Sequence, residues 1–101
     1  MTFEEFEKNV QNWAEVRGIY AHSTACAQLL KGVSELGELA DAEIQNEHDK
    51  KLDAAGDFLV CLVNYVTMSD FTMEEAMDMA WNQIKNRTGH MVDGGAFVKD
   101  E

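Results

Sequence analysis

Between Phe58 and Val66 the chain reads Phe-Leu-Val-Cys-Leu-Val-Asn-Tyr-Val, apolar at every position except Asn64. The whole chain of 101 residues contains no proline, so nothing in this run breaks a helix. Wound at about 100° per residue, the run is apolar around nearly its entire circumference. A helix of that kind must be covered on all sides. It is far too short to cross a bilayer, so the cover is expected to be protein. A small bundle covers few of its helices completely. The economical solution is a second copy of the chain, giving a homodimer or a homotetramer.

This helix is expected over about residues 50–68, and three more accompany it. The first spans about 3–17, with Phe3, Phe6, Val10, Trp13 and Val16 forming one apolar stripe, Thr2 as N-cap and Gly18 as stop. The second spans about 24–46, with Ser23 as N-cap and Leu29, Leu30, Val33, Leu36, Ala40 and Ile44 as its apolar residues. Ser69 to Thr72 interrupts the pattern. Thr72 and Glu75 then form a capping box, with Phe71 and Ala76 placed as a hydrophobic staple, for a fourth helix over about 73–87. Met73, Ala76, Met77, Ala80, Trp81 and Ile84 form its apolar side, and Gly89 ends it. The tail from Gly89 to Glu101 is expected as a short extended segment laid against the bundle. The expected fold is therefore all-α: a single domain over residues 1–101, of four-helix-bundle type, completed by dimerisation.

Asp plus Glu number 19 against 8 Lys plus Arg, a formal charge of −11. Such a chain lacks the basic stripe that free nucleic acid requires. An anionic membrane surface is excluded on the same ground. A small anion remains admissible if a divalent cation bridges it to the protein. The first residues are acidic and have no signal-peptide character. The expected location is the cytoplasm, with Cys26 and Cys61 as reduced, buried small hydrophobes.

The acidic residues are not scattered evenly. Glu35 and Glu38 stand at i and i+3 on the second helix, about 60° apart, and Asp41 continues that edge. Asp53 and Asp57 stand at i and i+4 on the third, with Asn64 further along the same side. An antiparallel hairpin turned near Glu47-His48-Asp49 would bring the two edges face to face. Converging carboxylates repel and raise one another's pKa. Mg²⁺ resolves the conflict, because it takes about six oxygen ligands and accepts carboxylates, water and phosphate together. Carboxylates at this spacing also form ordinary solvated faces. Two features speak against that. Asp53, Asp57 and Asn64 interrupt an otherwise buried helix, and Gly37 and Gly56 sit inside helices where glycine costs about 1 kcal/mol relative to alanine. A close approach by a backbone or a ligand would account for both glycines.

The segment Lys31-Gly32-Val33-Ser34-Glu35-Leu36-Gly37-Glu38-Leu39-Ala40, followed by Asp53-Ala54-Ala55-Gly56-Asp57, resembles the MazG-like branch of the all-α nucleoside triphosphate pyrophosphohydrolases. Those proteins carry E-x-x-E on one helix and E-x-x-D on the next. Trp13 to Ile19, Gln28 with Lys31, Trp81 to Gly89 and Gly95 to Lys99 extend the likeness over roughly residues 9–99. The resemblance implies hydrolysis of nucleoside or deoxynucleoside triphosphates to monophosphate and pyrophosphate, with Mg²⁺ or Mn²⁺, by dimers or tetramers of helical bundles. It implies Glu35, Glu38 and Asp57 as metal ligands, with Glu35 or Glu38 as general base. The fourth ligand position, three residues before Asp57, is Ala54, and Asp53 is the substitute. Ser34 stands where the family often has a further glutamate.

Among the cations, Lys31, Lys85, Arg87 and Lys99 are candidates for phosphate binding, the last three from family-like segments. Lys85 and Arg87 also suit a helix C-terminus without a ligand. Trp13, Tyr20, His22 and Trp81 are candidates for contact with a base, although Trp13 and Trp81 both fit apolar stripes and are expected in the core. Asn64 joins the substrate contacts through its place beside the carboxylates. Nothing resembles a zinc site. The competing expectation is a non-catalytic acidic helical interaction protein, or a nucleic-acid mimic, which would spread its charges over the outside. Phosphoribosyl-ATP hydrolysis is the nearest alternative within the superfamily.

Overall fold

The computed structural model describes residues 1–101. Five helices and a two-stranded hairpin follow one another: α1 Phe3–Val16, α2 Ile19–His22, α3 Ala25–Gln45, α4 His48–Thr67, α5 Met73–Ile84, β1 Gly89–Met91 and β2 Phe97–Lys99. The all-α expectation holds for the body of the chain.

Local chemistry sets the boundaries. The Thr2 hydroxyl accepts from the Glu5 N–H at 3.1 Å while the Glu5 carboxylate accepts from the Thr2 N–H, a capping box that starts α1. Gly18, at φ +78°, takes the left-handed turn that ends it. One further turn, α2, follows where no helix was expected, because Gly18 lets the chain restart at a new angle. Thr24, not Ser23, caps α3 by accepting from the Ala27 N–H at 3.0 Å. Thr72 and Glu75 make the expected box at α5. That helix ends at Ile84 with Lys85 as its cap, short of the expected Arg87.

The pairing of α3 with α4 dominates the fold. Gln28 meets Asn64, Gly32 lies against Phe58 and Cys61, and Ala42 shares a cavity wall with Ala54. These pairs run in opposite order along the two helices, so the hairpin is antiparallel, turning at Asn46 in the left-handed region. At Gly32 a Cβ would stand 3.4 Å from that of Cys61, so this glycine sets the closeness of the helices. Gly37 and Gly56 face open space instead. Within the chain, nothing approaches either of them.

The core is small. Val10, Val63, Val66 and Met73 form it, with Phe6, Val60, Leu62, Tyr65 and Phe71 packed around them. The helix that was expected to be covered on all sides is covered around most of its circumference: Cys61, Val63, Asn64 and Val66 are buried, Phe58, Val60, Leu62 and Tyr65 are half-buried, and only Leu59 of this run is exposed. Leu29, Leu30, Val33 and Leu36 of α3 are exposed as well. Trp13 and Trp81, expected in the core, are 43% and 61% exposed. Cys26 is exposed too, against expectation. The chain exposes 7588 Å², whereas a compact monomer of this mass exposes about 5,700 Å². Its radius of gyration is 16.4 Å, against about 13 Å for a compact domain of this length.

The tail is not laid against the bundle. Its strands pair with each other in antiparallel register, Gly89 with Lys99 and Met91 with Phe97, and every residue of both is exposed. Gly94 and Gly95 make the turn with positive φ. The hairpin satisfies its own backbone groups, which removes the need for a ladder on the helices.

Candidate functional site

Glu35 is the buried carboxylate of the molecule, 5% exposed. It lies one turn after Gly32, where α3 comes closest to α4, and so is drawn into the seam between them. Its Oε1 accepts from the Lys31 Nζ at 3.2 Å. Its Oε2 is buried and has no hydrogen-bond partner. An unpartnered oxygen in such a place costs about 1–3 kcal/mol.

Two more carboxyls stand around it. Glu38, exposed and one turn on, is held above the ordinary glutamate range, first because its protonated form can donate to the Glu35 carboxylate and then by the charge of Glu35. Asp57, on the facing stretch of α4, is also raised, first by burial and then by the charges of Asp53 and Glu35. Lys31 is raised by its bond to Glu35. Glu35, Glu38 and Asp57 thus act on one another, with Lys31 as the cation paired to them.

Asp53 lies at the far end of this group. Ala54 is buried against α3, and Asp53, one residue earlier, is exposed. Asp53 lines a cavity of about 330 Å³ together with Glu38, Asp41 and Lys50. Asp41 continues the acidic edge as its spacing predicts, whereas Lys50 was given no role there and is brought in by the closeness of the α3–α4 turn. No three Asp, Glu, His or Cys side chains are gathered closely enough to hold a metal ion. Like charges spread apart when no counter-cation draws them in. The donors themselves are all hard oxygens, and Glu35 Oε2 has no partner of its own, which fits Mg²⁺ or Mn²⁺ rather than a soft ion.

The other expected site residues divide sharply. Asn64 is 1% exposed and cannot meet a substrate from solvent. Its Oδ1 accepts from the Tyr20 hydroxyl at 2.8 Å, its Nδ2 donates to Gln28 Oε1 at 3.4 Å, and Gln28 Nε2 donates to Ser23 Oγ at 3.0 Å. That network ties α2 to α3 and α4, so Asn64 and Tyr20 are structural, a correction to the expected substrate contacts. No periodicity could reveal this, because α2 itself was not expected. His22 ends α2 and is exposed. Trp13 is open to solvent, with the Arg17 guanidinium 4.7 Å from its ring centroid. Lys85, Arg87 and Lys99 lie on the exposed segment beyond α5. None of the three is ion-paired with the carboxylates above; Lys31 is the cation that is.

No helix is long and apolar enough to cross a membrane. The chain is 35% identical over 60 residues to an uncharacterized 18.2 kDa protein of the rep–hol intergenic region of Haemophilus phage HP1. The match covers 59% of this chain and 37% of that protein, so the chain spans well under half of its relative's length. No protein-family model and no solved structure matches the chain.

Proposed function

We propose that this chain is the subunit of a Mg²⁺-dependent nucleoside triphosphate pyrophosphohydrolase of the MazG-like kind, acting on nucleotide pools as a homodimer or homotetramer. The observation that carries the reading is the Glu35 carboxylate, buried with one oxygen unpartnered and flanked by Glu38 and Asp57. A merely solvated acidic face has no reason to bury a carboxylate and leave it unsatisfied.

Glu35, Glu38 and Asp57 would hold the cation, with Asp53 as a further contact. Bound there, it supplies charge neutralisation for the phosphates and a more acidic water. Glu38 is exposed, which suits a residue that takes a proton from water at the phosphorus. Lys31 offers a positive charge to a phosphate oxygen once Glu35 has another partner. Trp13, part-exposed beside Arg17, offers its ring to a base. Lys85, Arg87 and Lys99, exposed beyond α5, would serve a triphosphate from across an assembly.

The case for an assembly rests on area. The excess exposure is about 1,900 Å² over a compact monomer, and a stable interface takes about 800 Å² or more from each partner. The exposed leucine and valine stripe of α3 is the surface to be covered.

The test is pyrophosphate release from the eight common ribo- and deoxyribonucleoside triphosphates, with and without Mg²⁺. Metal-dependent release that Glu38→Ala removes supports the reading. A folded assembly that releases nothing from any of them sinks it. A second reading, an acidic module for a basic polypeptide, is favoured by a cavity of about 460 Å³ lined by Glu7, Asp70, Glu74 and Glu75 between α1 and α5. It predicts binding of polylysine that neutralising those four residues abolishes.

A further inference from the structure

An open cavity of about 440 Å³ lies between α1 and α4, lined by Phe6, Asn9, Val10, Trp13, Asp57 and Val60, with the first residue at its edge. Its size falls in the range of small-molecule sites, and so does its lining, mostly apolar with few polar groups. None of its walls comes from α3, so it is distinct from the exposed α3 stripe. Two features say what it suits. One is Asp57, which belongs at once to this wall and to the acidic group around Glu35. The other is Asn9, the one carboxamide of the lining, standing one helical turn before the part-exposed Trp13 and on the same face. A fatty chain would have no use for the amide, and a fatty acid would meet the Asp57 charge. A flat heteroaromatic ring uses both: apolar walls for its faces and an amide for its edge.

Resting on the nucleotide reading above, we propose that Asn9 is the residue that reads the edge of the substrate's base in this cavity. A carboxamide presents one donor group and one acceptor side by side. It therefore pairs with base edges that offer an adjacent acceptor and donor, as it does with adenine in nucleic-acid recognition. A carboxylate at the same place accepts only, and its best partner is the paired N1–H and N2–H donors of guanine. Asn9 thus controls base preference, while the carboxylates of α3 and α4 control turnover.

The experiment compares the chain with Asn9→Ala and Asn9→Asp in two ways. The first is the ratio of pyrophosphate release across the eight triphosphates. Asn9→Ala flattens the preference, with about tenfold loss or more on the favoured base, and Asn9→Asp moves the preference toward guanine. Ratios unchanged in both variants, with release intact, overturn the inference and leave the hydrolase reading standing. The second is the side-chain NH₂ signal of Asn9 in ¹⁵N–¹H spectra during titration with AMP, GMP, CMP and UMP. A shift that differs among the four supports the inference. No shift with any of them overturns it, whether or not the chain hydrolyses triphosphates. A silent release assay with a base-dependent NH₂ shift would instead remove the hydrolase and keep Asn9 as a base reader.

Discussion

Lys31 and Glu35 are joined at 3.2 Å across one turn of α3, yet the lysine side chain is 61% exposed and the glutamate side chain 6%. The ion pair therefore spans the boundary between solvent and the helix seam. It satisfies one oxygen of Glu35 and leaves the other with none. In Glu35→Gln the buried charge disappears while the shape is kept, and the amide oxygen can still accept from the exposed Lys31, whose ion pair is of little worth. The metal-free variant is expected to be more stable by about 1–2 kcal/mol, or roughly 4–8 °C in Tm per kcal/mol for a chain of this size. The rise in Tm that Mg²⁺ gives the parent chain should vanish. Thermal unfolding followed by circular dichroism, with and without Mg²⁺, measures both. A variant that is less stable and still responds to Mg²⁺ would show that Glu35 is a structural partner and not a ligand.

Glu38→Ala acts on the same site from its exposed side. The residue contributes nothing to the core, so helicity should be unchanged. Pyrophosphate release should fall by about 100-fold or more, the scale of a lost general base. A loss of helicity in parallel with activity would make Glu38 a fold residue instead.

The titration of the site has a sign. Glu38 and Asp57 both hold their protons above the ordinary carboxylate range, so the folded chain binds protons more tightly than the unfolded one. The stability that this contributes is complete below the unfolded values, near about pH 4, and is lost as pH rises through the folded values. In metal-free buffer Tm should therefore fall as pH rises above about 4. The double variant Glu38→Gln, Asp57→Asn should show a flatter profile. Equal slopes in the two proteins would mean that the shifts come from elsewhere.

Tyr20→Phe removes the hydroxyl that donates to the buried Asn64 Oδ1. With Asn64 1% exposed, water cannot replace that donor. The expected cost is about 1–3 kcal/mol, read from the midpoint of urea unfolding. A variant as stable as the parent would show that the Gln28 amide turns to serve both groups.

The α3 stripe can be tested without any substrate. Leu30 and Val33 are exposed and lie outside the α3–α4 contacts described above. Leu30→Asp with Val33→Asp should leave the helices intact and reduce the sedimenting mass to that of one chain. A parent that already sediments as a monomer of 11.3 kDa overturns the assembly.

The helix starts at Thr2 and Thr72 and the stop at Gly18 were legible in the residues, because capping and left-handed turns depend on atoms only a few positions apart. So was the sharing of one helical edge by Glu35 with Glu38 and by Asp53 with Asp57, which is periodicity alone. What periodicity could not show is which of these groups is buried. That followed from the close approach at Gly32 and the antiparallel register, which draw Glu35 in, leave Glu38 and Asp53 out, and enclose Asn64 with Tyr20. The tail was misread for the same reason: Gly89 to Lys99 folds on itself because its two strands satisfy each other, a pairing between residues ten apart. Local sequence determined the helices and the faces that carry the acids. Long-range packing alone decided which acid loses its water, because burial is a property of the pair of helices and not of either one.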